Sequence, residues 1–250
     1  MEENLSSAAE KPVKAKKEKK SKKQESVRLF PAQKDGYHRI RLMDVLRFFF
    51  YPIHAILYPF KLYGYKKVGP GPYIYVGNHY CLWDVFYPAH TTKDGLHYLA
   101  KDSIMRAPIL GPVAKKVGVI GAMRDGSDVH TLMDSMRVLK NGEKISMFPE
   151  GTRNKTDGDE FLPFRGGSAL LAIKTKTPVI PFVICNRPKL FKKTHVVFGE
   201  PMELSEFYGR KLTPEDYEAA EEKIKNKLYE MRDGFRKEQA AKKAKKHKRK

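Results

Sequence analysis

The sequence predicts an α/β domain, built on a mixed, mostly parallel sheet flanked by helices, with an N-terminal membrane-associated helical segment in front of it. Short apolar runs such as Tyr73–Gly77 and Pro178–Ile184 are too brief for helices and too continuous for half-exposed strands, so they read as strands covered on both faces. Between such runs lie segments with apolar residues three or four apart, each bounded by turn and cap residues. We find no internal repeat.

Residues 1–26 hold eight Lys, five acids and almost no large apolar side chain, a composition that cannot repay the entropy of ordering, and we expect a disordered basic tail. Residues 27–70 are aromatic-rich. Phe48, Phe49, Phe50, Tyr51, Ile53, Ile56, Leu57, Tyr58 and Phe60 crowd one stretch, but Arg47, Pro52, His54, Pro59 and Lys61 interrupt it. A regular spanning helix needs about 18 or more uninterrupted apolar residues, so a pair of surface-lying helices at the headgroup boundary fits residues 42–65 better. Burial of a Pro-kinked helix against the core is the competing reading.

Residues 71–212 form the expected core. Lys66–Pro72 is a turn, and Tyr73–Gly77 is a strand that Asn78 ends. Ser127 and Asp128 open a helix carrying Val129, Leu132, Met133, Met136 and Leu139, and Asn141-Gly142 closes it. Lys144–Phe148 is a strand, Gly167–Lys176 a short helix, Pro178–Ile184 a covered strand, and HVVFGEP a last strand and turn. In residues 213–250, Thr213 caps a helix with Pro214 at its first position and Glu215 and Asp216 in its first turn. Tyr217, Ala220, Ile224, Leu228, Met231 and Phe235 make its apolar stripe, and its far end is a run of Lys.

The formal charge of +20 is uneven: with both tails set aside, 32 basic and 23 acidic residues remain, a net +9. A basic body suits an anionic partner such as a membrane surface, a phosphorylated substrate or nucleic acid. Cys81 and Cys185 form no CxxC spacing, and a chain of this size needs no disulfide, so we expect a reducing compartment. The Lys- and Glu-rich N-terminus lacks the apolar block of a secretory signal, which points to the cytoplasmic side.

Two stretches could carry chemistry. In GNHYCLWD, His79 and Asp84 lie five positions apart, so on a regular helix they would point away from each other. On a strand-to-helix turn, however, the carboxylate reaches one imidazole nitrogen and leaves the other as a base. Taken alone, the pair is better explained as a capped helix start beside a satisfied core histidine. In FPEGTRN, Glu150, Gly151, Thr152 and Arg153 follow a strand, on the side where α/β sheets place their sites. Glycine permits close approach, threonine offers a hydroxyl and arginine a planar fork for phosphate oxygens. An ordinary turn explains any one of them, less readily the set. Arg124, after GVIGAM, is a further cation at a strand end.

The order of these blocks, NHYCLWD, then Arg124, then FPEGTRN, then TPVIPF, resembles the glycerolipid acyltransferase family, especially 1-acylglycerol-3-phosphate acyltransferases. The resemblance runs from about Tyr73 to Pro201 and takes in FRGGSA and FGEP; the 66 residues from Asp84 to Glu150 are a plausible interval. It implies that His79 is a general base, Asp84 its orienting partner, Glu150, Gly151, Thr152 and Arg153 the acceptor-binding loop, and Arg124 a second phosphate contact. Met123 stands where family members often have an acidic residue. The implied reaction moves a fatty acyl group from a thioester, acyl-coenzyme A or acyl carrier protein, to the free hydroxyl of lysophosphatidate to give phosphatidate. No cofactor or metal is implied beyond that co-substrate. The implied setting is the cytoplasmic face of a membrane, with peripheral or monotopic attachment to an anionic surface.

Three other readings compete. Cys81 could be acylated as in a thiol hydrolase, which leaves FPEGTRN unexplained. Another lysolipid could be the acceptor. The Lys tails could bind nucleic acid without catalysis, but no nucleic-acid-binding motif accompanies them, and membrane attachment accounts for the aromatic segment as well.

Overall fold

A computed structural model describes residues 26–122, 129–156 and 158–247. Residues 1–25 of the expected tail, the helix opening at Ser127 and Asp128, and Arg124 lie outside the described residues. In chain order the elements are α1 (Arg41–Leu57), β1 (Phe60–Gly64), β2 (Tyr73–Gly77), a 3-10 turn (Leu82–Val85), α2 (Phe86–Ala89), β3 (Leu96–Lys101), α3 (Asp102–Met105), α4 (Leu110–Lys116) and β4 (Ile120–Ala122). Then follow α5 (Val129–Lys140), β5 (Lys144–Met147), α6 (Gly167–Thr175), β6 (Val179–Ile184), β7 (Thr194–Phe198), a second 3-10 turn (Ser205–Phe207) and α7 (Pro214–His247).

The seven strands make one sheet in the order β1-β7-β6-β2-β5-β3-β4. Every pairing is parallel except β6 with β7, so the expected mixed, mostly parallel architecture is present. The central strands β2, β5 and β6 are almost wholly buried; β2 and β6 have the apolar runs that this requires, and in β5 Lys144 is buried against Asp94. One helical layer comes from α5, α6 and α7, and the α7 residues Ala220, Ile224, Leu228 and Phe235 enter the core on the expected stripe. Thr213 and Asp216 bond reciprocally at the start of α7, a capping box.

The segment 42–65 departs from the expected pair of helices. It holds one helix, which runs through Pro52, and then the edge strand β1, paired residue for residue with Thr194–Phe198 of β7. Pro59 ends the helical backbone, and the main-chain bonds to β7 then decide in favour of a strand. Helix α1 also turns its apolar side outward. Phe48, Phe49, Ile53 and Ile56 are exposed, while the contacts to the body include polar groups, His54 and the rings of Phe50 and Tyr51 on Phe86. Arg47 bonds the carbonyls of Lys93 and Asp94, Tyr51 donates to the Ala89 carbonyl at 2.7 Å, and His54 is the helix's one buried residue. Among the described residues, no helix is long and apolar enough to cross a membrane.

Under the N-terminal ends of β5 and β3 lies a fully buried ion pair. Lys144 donates to Asp94 Oδ2, and Asp94 also accepts from the His38 main chain at 2.5 Å and from Thr92 at 3.0 Å. Removing one partner of such a pair leaves an uncompensated charge in the interior. Lys144→Met should therefore lower unfolding free energy by about 3–5 kcal/mol, read from urea denaturation of the purified chain.

Candidate active site

Strands β2 and β5 are parallel neighbours in which Val76 pairs with Met147. His79 and Glu150 each lie three residues past that pair, so the register brings the two sequence blocks together at the C-terminal edge of the sheet. Glu150 is buried and its carboxylate turns inward: Oε1 accepts the His79 main-chain N–H at 3.0 Å, and Oε2 accepts that of Leu162 at 3.2 Å. From the other direction the Asn154 N–H donates to the His79 carbonyl at 2.7 Å. The FPEGTRN block thus grips the main chain of His79 on both sides.

Asn78 continues the clamp on the opposite neighbour. Its side chain donates to the Ile184 carbonyl at 3.2 Å and accepts the Ile184 N–H at 2.8 Å, which ties β2 to the end of β6. After His79 the chain turns into the 3-10 segment, and this turn brings Asp84 back. Asp84 is fully buried; its Oδ2 lies 2.9 Å from His79 Nδ1 and accepts the main-chain N–H groups of Tyr80 and Cys81 at 2.5 and 2.7 Å. A carboxylate only accepts, so Nδ1 carries the ring proton and Nε2 is the basic nitrogen. Phe148 stacks on the imidazole at 4.1 Å between ring centres and 18° between planes, which holds the ring against a flat apolar wall.

The remainder of the expected acceptor loop is exposed beside this pair. Gly151 has a φ of +63° and donates to the Phe148 carbonyl at 3.0 Å; a Cβ there would stand 2.7 Å from Nε of Arg165. Only glycine gives the chain both that conformation and that approach. Thr152 and Arg153 follow on the surface. Strand β4, which leads toward Arg124, ends at the same edge of the sheet but beyond β3 rather than beside β5. Glu150, the first residue of the expected acceptor loop, gives each carboxylate oxygen to a main-chain N–H group and so braces the site's own frame.

Sequence reasoning passed over several supporting residues. The sequence places Asn78 and Asn154 within the two blocks and gives neither a bracing role. Arg187 had no sequence signal at all: it lies over the Tyr80 ring at 4.8 Å and donates to the carbonyls of Asn154 and Thr156 at 3.0 and 2.6 Å, locking both blocks together. From behind, α7 braces the same loop through Tyr229, which accepts the Phe161 N–H at 3.1 Å, and through Arg232, which bonds the Asp159 carbonyl. The Cys81 thiol donates to Asp84 Oδ1 at 3.2 Å, and burial, aided by that carboxylate, pushes it up to about 12. Such a thiol stays protonated near neutrality, which disfavours Cys81 as a nucleophile. Among the described residues there is no His, Cys, Asp and Glu cluster able to hold a metal ion.

Burial raises the Glu150 carboxyl to about 7, against the opposing effect of its two N–H donors. With its pKa higher in the folded state than in the unfolded state, the folded chain holds the extra proton between about pH 4.5 and 7, so this group's contribution to stability falls as pH rises through that window. In Glu150→Gln the contribution should vanish. The difference in unfolding free energy between parent and variant, followed by urea denaturation, should then change by on the order of 3 kcal/mol between those limits, with the parent relatively more stable at the acid end.

The acyltransferase family model matches residues 59–185, which spans β1 through β6 and both blocks. The chain is 30% identical over 142 residues to the 1-acyl-sn-glycerol-3-phosphate acyltransferase of Saccharomyces cerevisiae, covering 56% of this chain and 47% of that protein. It is 32% identical over 128 residues to the protein of that name from Borreliella burgdorferi, covering half of each. The chain thus spans about half the length of these curated relatives. Its fold is similar to the crystal structure of the 1-acyl-sn-glycerophosphate (LPA) acyltransferase PlsC from Thermotoga maritima, with a TM-score of 0.57 and 24% identity over 76% of this chain and 78% of that one. With the family model matching half of its residues, this chain belongs to the acyltransferase family.

Proposed function

We propose that the chain is a 1-acyl-sn-glycerol-3-phosphate acyltransferase, which moves a fatty acyl group from a thioester to the free hydroxyl of lysophosphatidate and works attached to an anionic membrane surface. The observation that carries this reading is the His79–Asp84 pair at 2.9 Å, with an imidazole that keeps 17% of its side-chain surface exposed over a fully buried carboxylate. The names of the relatives supply the acceptor, and phosphatidate is what its acylation gives.

The acceptor's hydroxyl is a poor nucleophile until it loses its proton. His79 Nε2 takes that proton as the oxygen attacks the thioester carbonyl, and Asp84 stabilises the imidazolium that forms. When the tetrahedral intermediate collapses, the C–S bond breaks and the imidazolium returns the proton to the departing thiolate. Proton, acyl group and thiol then balance with no further reactant. Gly151, Thr152 and Arg153 receive the phosphate of the acceptor, and Arg124 supplies a second guanidinium to it. Holding the hydroxyl beside the base removes the entropy of bringing the two together. The donor is acyl-coenzyme A or acyl carrier protein.

Attachment to the membrane is supported by the outward apolar face of α1, where Phe48 is 74% exposed and Ile56 66% exposed. Such a face gains free energy when it enters the acyl boundary of a bilayer, and the net positive charge adds attraction to anionic headgroups.

Two measurements test the reaction. The purified chain given labelled acyl-coenzyme A or acyl carrier protein and lysophosphatidate should form phosphatidate, and His79→Ala and Asp84→Asn should each slow it by about 10² to 10⁴. Equal turnover in parent and His79→Ala would end the proposal. Across a panel of lysolipid acceptors, Arg153→Ala should raise KM by about tenfold or more for the phosphomonoester while leaving acceptors without a phosphomonoester nearly unchanged. A uniform loss across the panel would mean that Arg153 does not read the phosphate.

A further inference from the structure

The connection from β6 to β7 carries a tight turn that the reaction does not use. Lys192 N–H donates to the Lys189 carbonyl at 3.0 Å, so Leu190 and Phe191 occupy the two corners of the turn. Both point to solvent, at 51% and 63% exposed, and Lys189, Lys192 and Lys193 beside them are exposed as well. Phe191 has a φ of +56°. That is the left-handed region, where a bulky side chain is strained and glycine is the unstrained choice. The chain therefore holds an aromatic ring at a position where folding favours its absence, a pattern that points to a use for the ring.

The surroundings say what the ring meets. The Phe191 N–H donates to the Leu57 carbonyl at 2.7 Å, which fastens the turn to the C-terminal end of α1, the helix that exposes Ile53 and Ile56. Because β6 ends where Asn78 grips Ile184, the turn stands on the same edge of the sheet as His79, and Arg187, two residues before Lys189, lies over Tyr80. Exposed Leu82, in the 3-10 turn of the His79–Asp84 block, adds another apolar point on this rim.

We propose that the Lys189–Lys193 turn is a lipid-insertion wedge: Leu190 and Phe191 enter an anionic bilayer, the three lysines meet its headgroups, and with the outer face of α1 the turn seats the His79 edge of the sheet on the membrane. The inference rests on the membrane attachment proposed above. Two separated contacts fix an orientation, which a single helix free to roll in the interface does not. An acceptor whose acyl chain stays in the bilayer then meets His79 with its polar end.

The full chain is tested by co-sedimentation with sucrose-loaded vesicles of phosphatidylcholine, with and without phosphatidylglycerol. Leu190→Gln with Phe191→Gly should weaken partitioning by about tenfold or more. Glycine suits the backbone at 191, so the thermal midpoint of Phe191→Gly alone should not fall below the parent's, which separates lost insertion from lost folding. Lys189→Gln, Lys192→Gln and Lys193→Gln together should weaken binding to phosphatidylglycerol vesicles by about tenfold or more and change binding to neutral ones little. If the turn variants partition like the parent while Phe48→Ser with Phe49→Ser loses partitioning, the wedge is overturned and membrane attachment through α1 stands. If the parent itself fails to partition, both are overturned.

Discussion

The site depends on a carboxylate that faces away from it. Glu150, buried at the end of β5, accepts the main-chain N–H of His79, while Asn154 from the same loop donates to the His79 carbonyl. These two bonds hold the backbone of His79 at the point where the chain leaves β2, and the turn that follows then carries Asp84 back to Nδ1. A buried acceptor with strong donors costs little and a buried acceptor without them costs much, so the loop and the histidine have one satisfied arrangement in common. Glycine at 151 belongs to the same constraint, since the chain must reverse with φ at +63° immediately after Glu150.

Helix α1 and the His79–Asp84 turn are joined through aromatic packing. His54, the inward residue of α1, lies among Trp83, Phe86, Tyr87 and His90, with ring centres 5.1 to 5.8 Å away. Burial, reinforced by His90, drags the His54 imidazole down to about 4, so it serves near neutrality as an uncharged flat ring. Trp83 and Phe86 flank the short segment that carries Asp84. Helix α1 is thus docked through His54 on the turn that carries Asp84, while Arg47 and Tyr51 fasten it to the carbonyls of Lys93, Asp94 and Ala89.

How much of this was legible depended on whether the deciding partner was near in sequence. Strands β2 and β6 were readable because burial on both faces demands a near-continuous apolar run. Helix α7 was readable from Thr213, Pro214 and its stripe. Strand β3 was not, since LHYLAK includes His97, whose burial is made possible by Glu143, 46 residues away at 2.7 Å. Strand β1 was absorbed into a supposed helix because its aromatic residues continue those of α1, and its pairing with β7 lies more than 130 residues along the chain.

By itself the sequence determined the residue types and their placement just past strand ends: an imidazole and a carboxylate after β2, and a Glu-Gly-Thr-Arg loop after β5. It also determined that these blocks belong at the ligand-binding edge of an α/β sheet, because that follows from apolar periodicity and punctuation, which are local. Only the tertiary structure decided which way each polar group turns. Asp84 faces His79 and Glu150 faces the backbone because hydrogen bonds are satisfied across space, between strands whose registers are set by the packing of the whole sheet.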